Sequence, residues 1–397
     1  MGPFRAVVAH PVARVLLAAQ GASSLGDWVG LAGLLVLAYE RTGLVTGTAS
    51  LLATTGVSAM LTPVLFGPYL DRVDRRRALS VVYLLGGLSV GLVLVFDGLW
   101  PVFVAAGGLG MTRPAAGALR HAITGTDVPD GLITPSVTLA GSVGQATATV
   151  GMLLGGTAAV TLGPAVAIAF DVATFAIAAL IVLRLRIAPS RPLGAARRWS
   201  DGFAEWLRPG RPRRLMQLLL VAAAVGSLPE ALAPAAAAGS GWLPFVLAGQ
   251  AAGTALGGIL FGRVPRWATM RGLRVLAFGC GATLLAGAAV VDQSPALLAA
   301  ANLAFGLGYA LTSLAQGEFT RAVDRDRVGA AVASGITATM IADGLGALGL
   351  GIVADTLGPP AAYVAAAAVI VGAAAYGILV GGDHEDEVAV PATATVG

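Results

Sequence analysis

The chain has 397 residues, of which 56% are hydrophobic and only 12% charged, whereas soluble domains carry about a quarter charged residues. That balance excludes an ordinary soluble enzyme, and the formal charge of +4 comes from loop arginines that report orientation in a membrane rather than affinity for nucleic acid. A single cysteine and three scattered histidines offer no disulfide and no metal cluster, and no loop ending in Gly-Lys-Ser/Thr is present to cradle a phosphate, so no cofactor is expected.

The apolar runs predict helices in chain order at about 14–39, 46–69, 79–96, 99–118, 134–159 and 164–185, then at about 215–234, 242–262, 274–291, 295–315, 328–353 and 359–380. These runs are continuously apolar, so they read as helices rather than as strands of alternating polarity. A hydrocarbon core of about 30 Å takes about 20 helical residues, so twelve crossings use roughly 240. Asp97-Gly98 and Gly163-Pro164 mark tight turns between neighbouring spans. Pro229, Glu230 and Pro234 interrupt the outer end of the seventh.

Every basic residue is arginine, and 24 of the 25 fall in alternate gaps between the apolar runs, Arg41 being the exception. Arginines beside membrane spans are retained on the cytoplasmic side, so this alternation predicts an even number of crossings with both termini inside. The fold class expected is an all-α membrane protein of twelve transmembrane helices in two six-helix halves. Residues 1–185 form the first half, 186–214 a cytoplasmic linker, 215–380 the second half and 381–397 an acidic disordered tail. Within the linker Trp199, Phe203, Trp206 and Leu207 share one helical face, a spacing that suits a helix lying on the membrane surface. A plain flexible linker is the alternative.

One loop carries a motif. Between the second and third spans the chain reads Gly67-Pro-Tyr-Leu-Asp71-Arg72-Val-Asp74-Arg75-Arg76-Arg77. It resembles the signature of the major facilitator superfamily at the same loop, with Asp74 in place of the usual glycine. A weaker echo, without the aspartate, starts at Gly262-Arg263. The resemblance spans about 12 to 380. It implies two halves related by an axis along the membrane normal, a monomer, and a gating role for Gly67, Asp71, Arg72, Arg75, Arg76 and Arg77. Ser24-Leu25-Gly26-Asp27-Trp28, Arg113-Pro114-Ala115 and Phe170-Asp171 look most like the bacterial drug and siderophore exporters of that superfamily. Gly151-Met-Leu-Leu-Gly155 resembles its antiporter motif, with Met152 where proline is expected. The arginine that many drug exporters carry in the middle of the fourth span is absent.

Carboxyl groups inside a membrane are costly and mark functional positions. Asp27 and Asp343 fall near the middle of the first and eleventh spans and are the candidates for proton coupling. For Asp27 the competing reading is a structural carboxyl bonded to a neighbouring helix, and Asp171 is expected to be of that structural kind. The superfamily template places Gln145, Gln250 and Asn302 near a central cavity, and Glu230, in the outer part of the seventh span, either faces that cavity or meets extracellular water. So few polar groups suggest a mostly apolar pocket for amphipathic or cationic molecules. Arg113 is expected at the cytoplasmic end of the fourth span, as a gate or topogenic residue. The resulting expectation is a proton-coupled exporter of small organic or drug-like molecules in a bacterial inner membrane. Its partners are the solute, protons and the lipid bilayer, and not nucleic acid. A metabolite importer, or a non-transporting sensor on the same scaffold, is the alternative.

Overall fold

A computed structural model describes residues 3–62, 74–185, 203, 206–207, 209–323 and 328–380. A short α1 (Pro3–Ala9) precedes α2 (Pro11–Thr42), α3 (Val45–Ala59), α4 (Arg75–Val95), α5 (Trp100–Asp127), α6 (Asp130–Thr161) and α7 (Pro164–Leu183). The second part comprises α8 (Arg211–Gly226), α9 (Leu228–Ala237), α10 (Leu243–Gly262), α11 (Met270–Val290), α12 (Pro295–Tyr309), α13 (Leu311–Ala322), α14 (Val328–Leu357) and α15 (Pro359–Val380). Proline stands in the first turn of α2, α5, α7, α8, α9, α10 and α12, where its missing N–H costs nothing. Gly98 and Gly163 both adopt φ 91°, a conformation open to glycine that lets the chain reverse between spans.

Ten helical segments are long and apolar enough to cross a membrane, counting α8 with α9 and α12 with α13 as single spans. The other two expected crossings correspond to α3, whose described part is 15 residues, and α5, whose apolar run is broken by Arg113 and Pro114. The predicted seventh and tenth spans are each interrupted. Pro229 cannot donate a backbone hydrogen bond, and the helix breaks at Ser227 just before it. Most of the predicted linker lies outside the described residues, Trp199 included. Trp206, however, is 9% exposed and donates its indole N–H to Ser334 Oγ at 3.1 Å. It therefore docks on α14, while Leu207 stays exposed.

Helix α2 packs on α6 and α7, α4 on α5 and α7, and α3 on α5. In the second part α10 packs on α12, α11 on α12 and α15, and α8 on α13 and α14. Two seams join these sets, α3 against α14 and α6 against α10. Both depend on small residues, which let backbones approach where lipid supplies no hydrophobic drive. A Cβ added at Gly344 would sit 2.7 Å from the Ala53 Cα, and one at Gly156 would sit 2.8 Å from the Pro244 Cα. Among the described residues, the polar contacts across the seam from α3 lie at the end of the molecule remote from the arginine clusters. There Asp355 of α14 caps α3 from across the seam, accepting from Val45 N (2.8 Å), Thr46 N (2.8 Å) and Thr46 Oγ1 (2.6 Å). Thr48 Oγ1 donates to the Ala231 carbonyl at 2.7 Å.

The residue in the usual capping position of α3, Leu44, provides no side-chain bond, so Asp355 is the cap. Losing a cap costs about 1 kcal/mol, roughly a fivefold shift in a two-state ratio. Asp355→Ala is therefore expected to raise several-fold the rate at which an impermeant maleimide, added on the arginine-poor side, labels a cysteine placed at Ser313, which lines a cavity between the two sets of helices. An unchanged rate would remove Asp355 from the seal.

Candidate functional site

Two cavities lie at the centre of the molecule and share Trp28 in their walls. The first, about 210 Å³, is enclosed by α2, α4, α5 and α7. Its floor is an ion pair, with Arg113 Nε 3.2 Å from Asp27 Oδ1 and Arg113 Nη2 donating to the Asp27 backbone carbonyl at 3.1 Å. Two helical turns further along α5, Arg120 Nη1 donates to the Tyr83 hydroxyl at 2.8 Å. Seven residues apart, the two arginines share one face of α5, and both line this cavity.

The second cavity, about 450 Å³, lies between the two sets of helices and is lined from both. The break between α8 and α9 places Ser227 and Glu230 in its wall. Ser227 Oγ donates to Asp343 Oδ1. Tyr309, at the end of α12, also lines it. Its hydroxyl fills the space beside Gly226, where any Cβ would collide with it. Gln145, Gln250 and Gln316 reach the same cavity. Gln250 is 7% exposed, and its Oε1, like Gln316 Nε2, has no hydrogen-bond partner among the described residues.

This placement sorts the sequence candidates. Asp27 and Asp343 line the two cavities, and Gln145, Glu230 and Gln250 line the second. Asn302 does not belong with them. It is 1% exposed, donates to the Val246 carbonyl at 3.1 Å and accepts from the Tyr363 hydroxyl at 3.3 Å, so it ties α10, α12 and α15 together. Arg113 also requires correction. Helix α5 continues to Asp127 rather than ending near 118, so Arg113 lies at mid-helix as the partner of Asp27 and not at a cytoplasmic helix end. Eleven of the eighteen residues lining the second cavity carry a polar side chain, while most of its exposed wall is apolar, as the expected pocket would be. Those hydroxyls and amides are single residues dispersed among apolar neighbours in the sequence.

Gly67, Asp71 and Arg72 of the signature loop lie outside the described residues. Its described end is built into the first set of helices. Asp74, the departure from the signature, caps α4 by accepting from Arg76 N (2.9 Å) and Arg77 N (3.2 Å). Arg75 is buried and donates to Thr126 Oγ1 at 3.0 Å near the end of α5. Arg76 donates to the Leu185 carbonyl at 3.1 Å. An aspartate immediately before a helix is a cap signal readable from sequence.

Asp171 is fully buried, and neither carboxyl oxygen has a hydrogen-bond partner among the described residues. It is not the hydrogen-bonded structural carboxyl expected. It packs against glycines of α2 instead, and a Cβ at Gly26 would lie 2.9 Å from its Oδ1. Reading the sequence also missed Arg120, Tyr83, Ser227 and Tyr309. The spacing from Arg113 to Arg120 was the available signal for the first of these.

Apolar helices around buried acidic and basic side chains define a multi-pass membrane protein with a polar interior. Solved structures share its arrangement. A mutant of the nucleoside transporter NupG superposes with a TM-score of 0.72 at 14% identity, over 92% of this chain and 98% of that one. A bacterial homologue of the human lysosomal transporter Spinster, inward-facing and occupied, gives 0.72 at 15% identity, over 96% and 97%. The human organic anion transporter MFSD10 gives 0.65 at 14% identity, over 94% and 99%. No family model and no curated protein sequence matches the chain. The likeness is one of fold, shared with these solved transporters.

Proposed function

We propose that this protein is a secondary transporter that couples proton movement to export of a small polar organic molecule by alternating access. The observation that carries this reading is the central cavity. It is lined from both sets of helices, holds Glu230 and Asp343 and adjoins the Asp27–Arg113 pair, and the two sets are tied together by the Asp355 cap and the small-residue seams. On our reading those ties close one end, and such a site serves a solute that reaches it from each side in turn. On the arginine distribution the closed end is the outer one, both termini are cytoplasmic, and twelve crossings divide into halves 1–185 and 215–380 of a monomer in a bacterial inner membrane. The outward direction of transport rests on the resemblance to drug and siderophore exporters. The carboxyl, amide and hydroxyl groups set in a mostly apolar wall favour solutes that carry polar groups on an apolar frame.

In this scheme Asp27 and Asp343 take up and release the coupling proton. Protonation of Asp27 removes the charge that holds Arg113, and protonation of Asp343 changes what Ser227 can donate to at the α8–α9 break. Both events act on elements that must shift when the cavity changes sides. The loop from Gly67 to Arg77 gates the cytoplasmic face.

The test is solute-driven proton flux in proteoliposomes that enclose a pH-sensitive dye, screened over small polar solutes. Any solute that moves protons through the wild type is expected to do so at least about tenfold more slowly through Asp27→Asn or Asp343→Asn, a typical loss for a group that handles a proton directly. Unchanged rate and pH dependence in both variants would reject proton coupling at these residues.

A further inference from the structure

The two cavities carry opposite charge. In the first, Arg113 is balanced by Asp27, whereas Arg120 meets only the Tyr83 hydroxyl, and no carboxylate pairs with it among the described residues. The remaining carboxyl nearby, Asp171, packs against Gly26 and Gly30 of α2 and does not line the cavity. The first cavity therefore offers one guanidinium in excess. The second has two carboxyl groups, Glu230 and Asp343, and no arginine or histidine in its wall. Gln250 adds a buried acceptor oxygen without a partner. Trp28 lines both spaces.

We infer that the site takes a zwitterionic solute, with its anionic group on Arg120 and its ammonium group among Glu230, Asp343 and Gln250 Oε1. The inference rests on the transport reading and names its substrate class. A guanidinium presents a planar fork of donors that suits a carboxylate or phosphate. An ammonium has donors for the three acceptor groups at the other end. A spine of carbon atoms passing Trp28 gains apolar contact with the indole. Opposite charges at the two ends also set orientation, because a reversed solute brings like charges together at both ends. A simple cation would leave Arg120 unsatisfied, and a simple anion would leave both carboxylates so.

The experiment measures binding to the purified full-length protein by thermal stabilisation, and transport by proton flux in proteoliposomes. The probes are straight-chain ω-amino acids of increasing length, their N-acetyl derivatives (anion only) and their methyl esters (cation only). The wild type is expected to bind one length of the free amino acid at least about tenfold more tightly than either derivative. Arg120→Gln is expected to lose that preference while still binding the ester, which shows that the variant folds, and Arg120→Lys is expected to restore part of it. Glu230→Gln is expected to weaken the free amino acid and the ester alike. Equal or tighter binding of either derivative, or no binding of any free amino acid, overturns the inference. Transport of the ester alone overturns it too and leaves the transport reading standing, whereas binding of the zwitterion without proton flux does the reverse.

Discussion

Replacing Arg113 by leucine is expected to abolish transport and to lower the melting temperature of the purified protein. Arg113 makes two contacts with one residue, to the side chain of Asp27 at 3.2 Å and to its backbone carbonyl at 3.1 Å. Asp27 is 9% exposed, and no other cation lies within ion-pairing distance of it among the described residues. Taking away one partner of such a pair leaves a carboxylate in a medium that solvates it poorly, and costs about 3–5 kcal/mol when burial is complete. The paired side chains are 25% and 13% exposed to the cavity, so the lower end of that range applies. Removing both charges should behave differently. The double variant Asp27→Asn with Arg113→Gln is expected to recover most of the stability, because nothing charged is left without a partner, and to stay inactive. Recovery of stability without activity separates the packing role of the pair from its part in transport. A leucine variant that melts and transports like the wild type would dismiss the pair from both.

Gly56→Val is expected to stop transport by a different route, leaving the helices folded but the outer seal unable to form. Gly56 lies on α3 where that helix crosses α14. A Cβ there would collide with the Met340 carbonyl oxygen, and would lie 3.1 Å from the carbonyl carbon and 3.6 Å from the Gly344 Cα. These are backbone atoms, so no side chain can rotate away. Overpacking a rigid contact costs about 2 kcal/mol or more, equivalent to at least about a tenfold loss of the sealed state. The maleimide used against Asp355→Ala should label the cavity cysteine correspondingly faster from the arginine-poor side. Gly56→Ala should show the same change to a smaller degree. Helix propensity alone predicts the opposite, since alanine stabilises a helix relative to glycine by about 1 kcal/mol. Gly279, where an added Cβ meets nothing, is the control, and Gly279→Ala should transport normally. Equal labelling of wild type and Gly56→Val would place the seal elsewhere.

The sequence itself determined the class of fold, because membrane insertion is governed by terms that act locally. An apolar run of about 20 residues is favoured across the bilayer whatever surrounds it, and arginines sort to one side span by span. The same local logic located the turns at Gly98 and Gly163, and Asp27 and Asp343 as acids with too little polarity around them. What each acid does was decided only by tertiary structure. Whether Asp27 stands alone or pairs with Arg113 depends on where α5 sits beside α2. That α5 continues past 118 is invisible to an apolar count, because its last turns carry Arg120, His121, Thr124, Thr126 and Asp127. Asn302 and Gln250 look alike in sequence, one polar amide in an apolar helix, yet one closes hydrogen bonds between three helices and the other lines the cavity. Which face of a helix meets lipid, a neighbour or the cavity is fixed by packing between helices distant in sequence. Asp355 makes the point most plainly. It caps a helix that begins at Val45, and a hydrogen bond formed only when the ends of two distant helices meet leaves no pattern in the order of residues along either one.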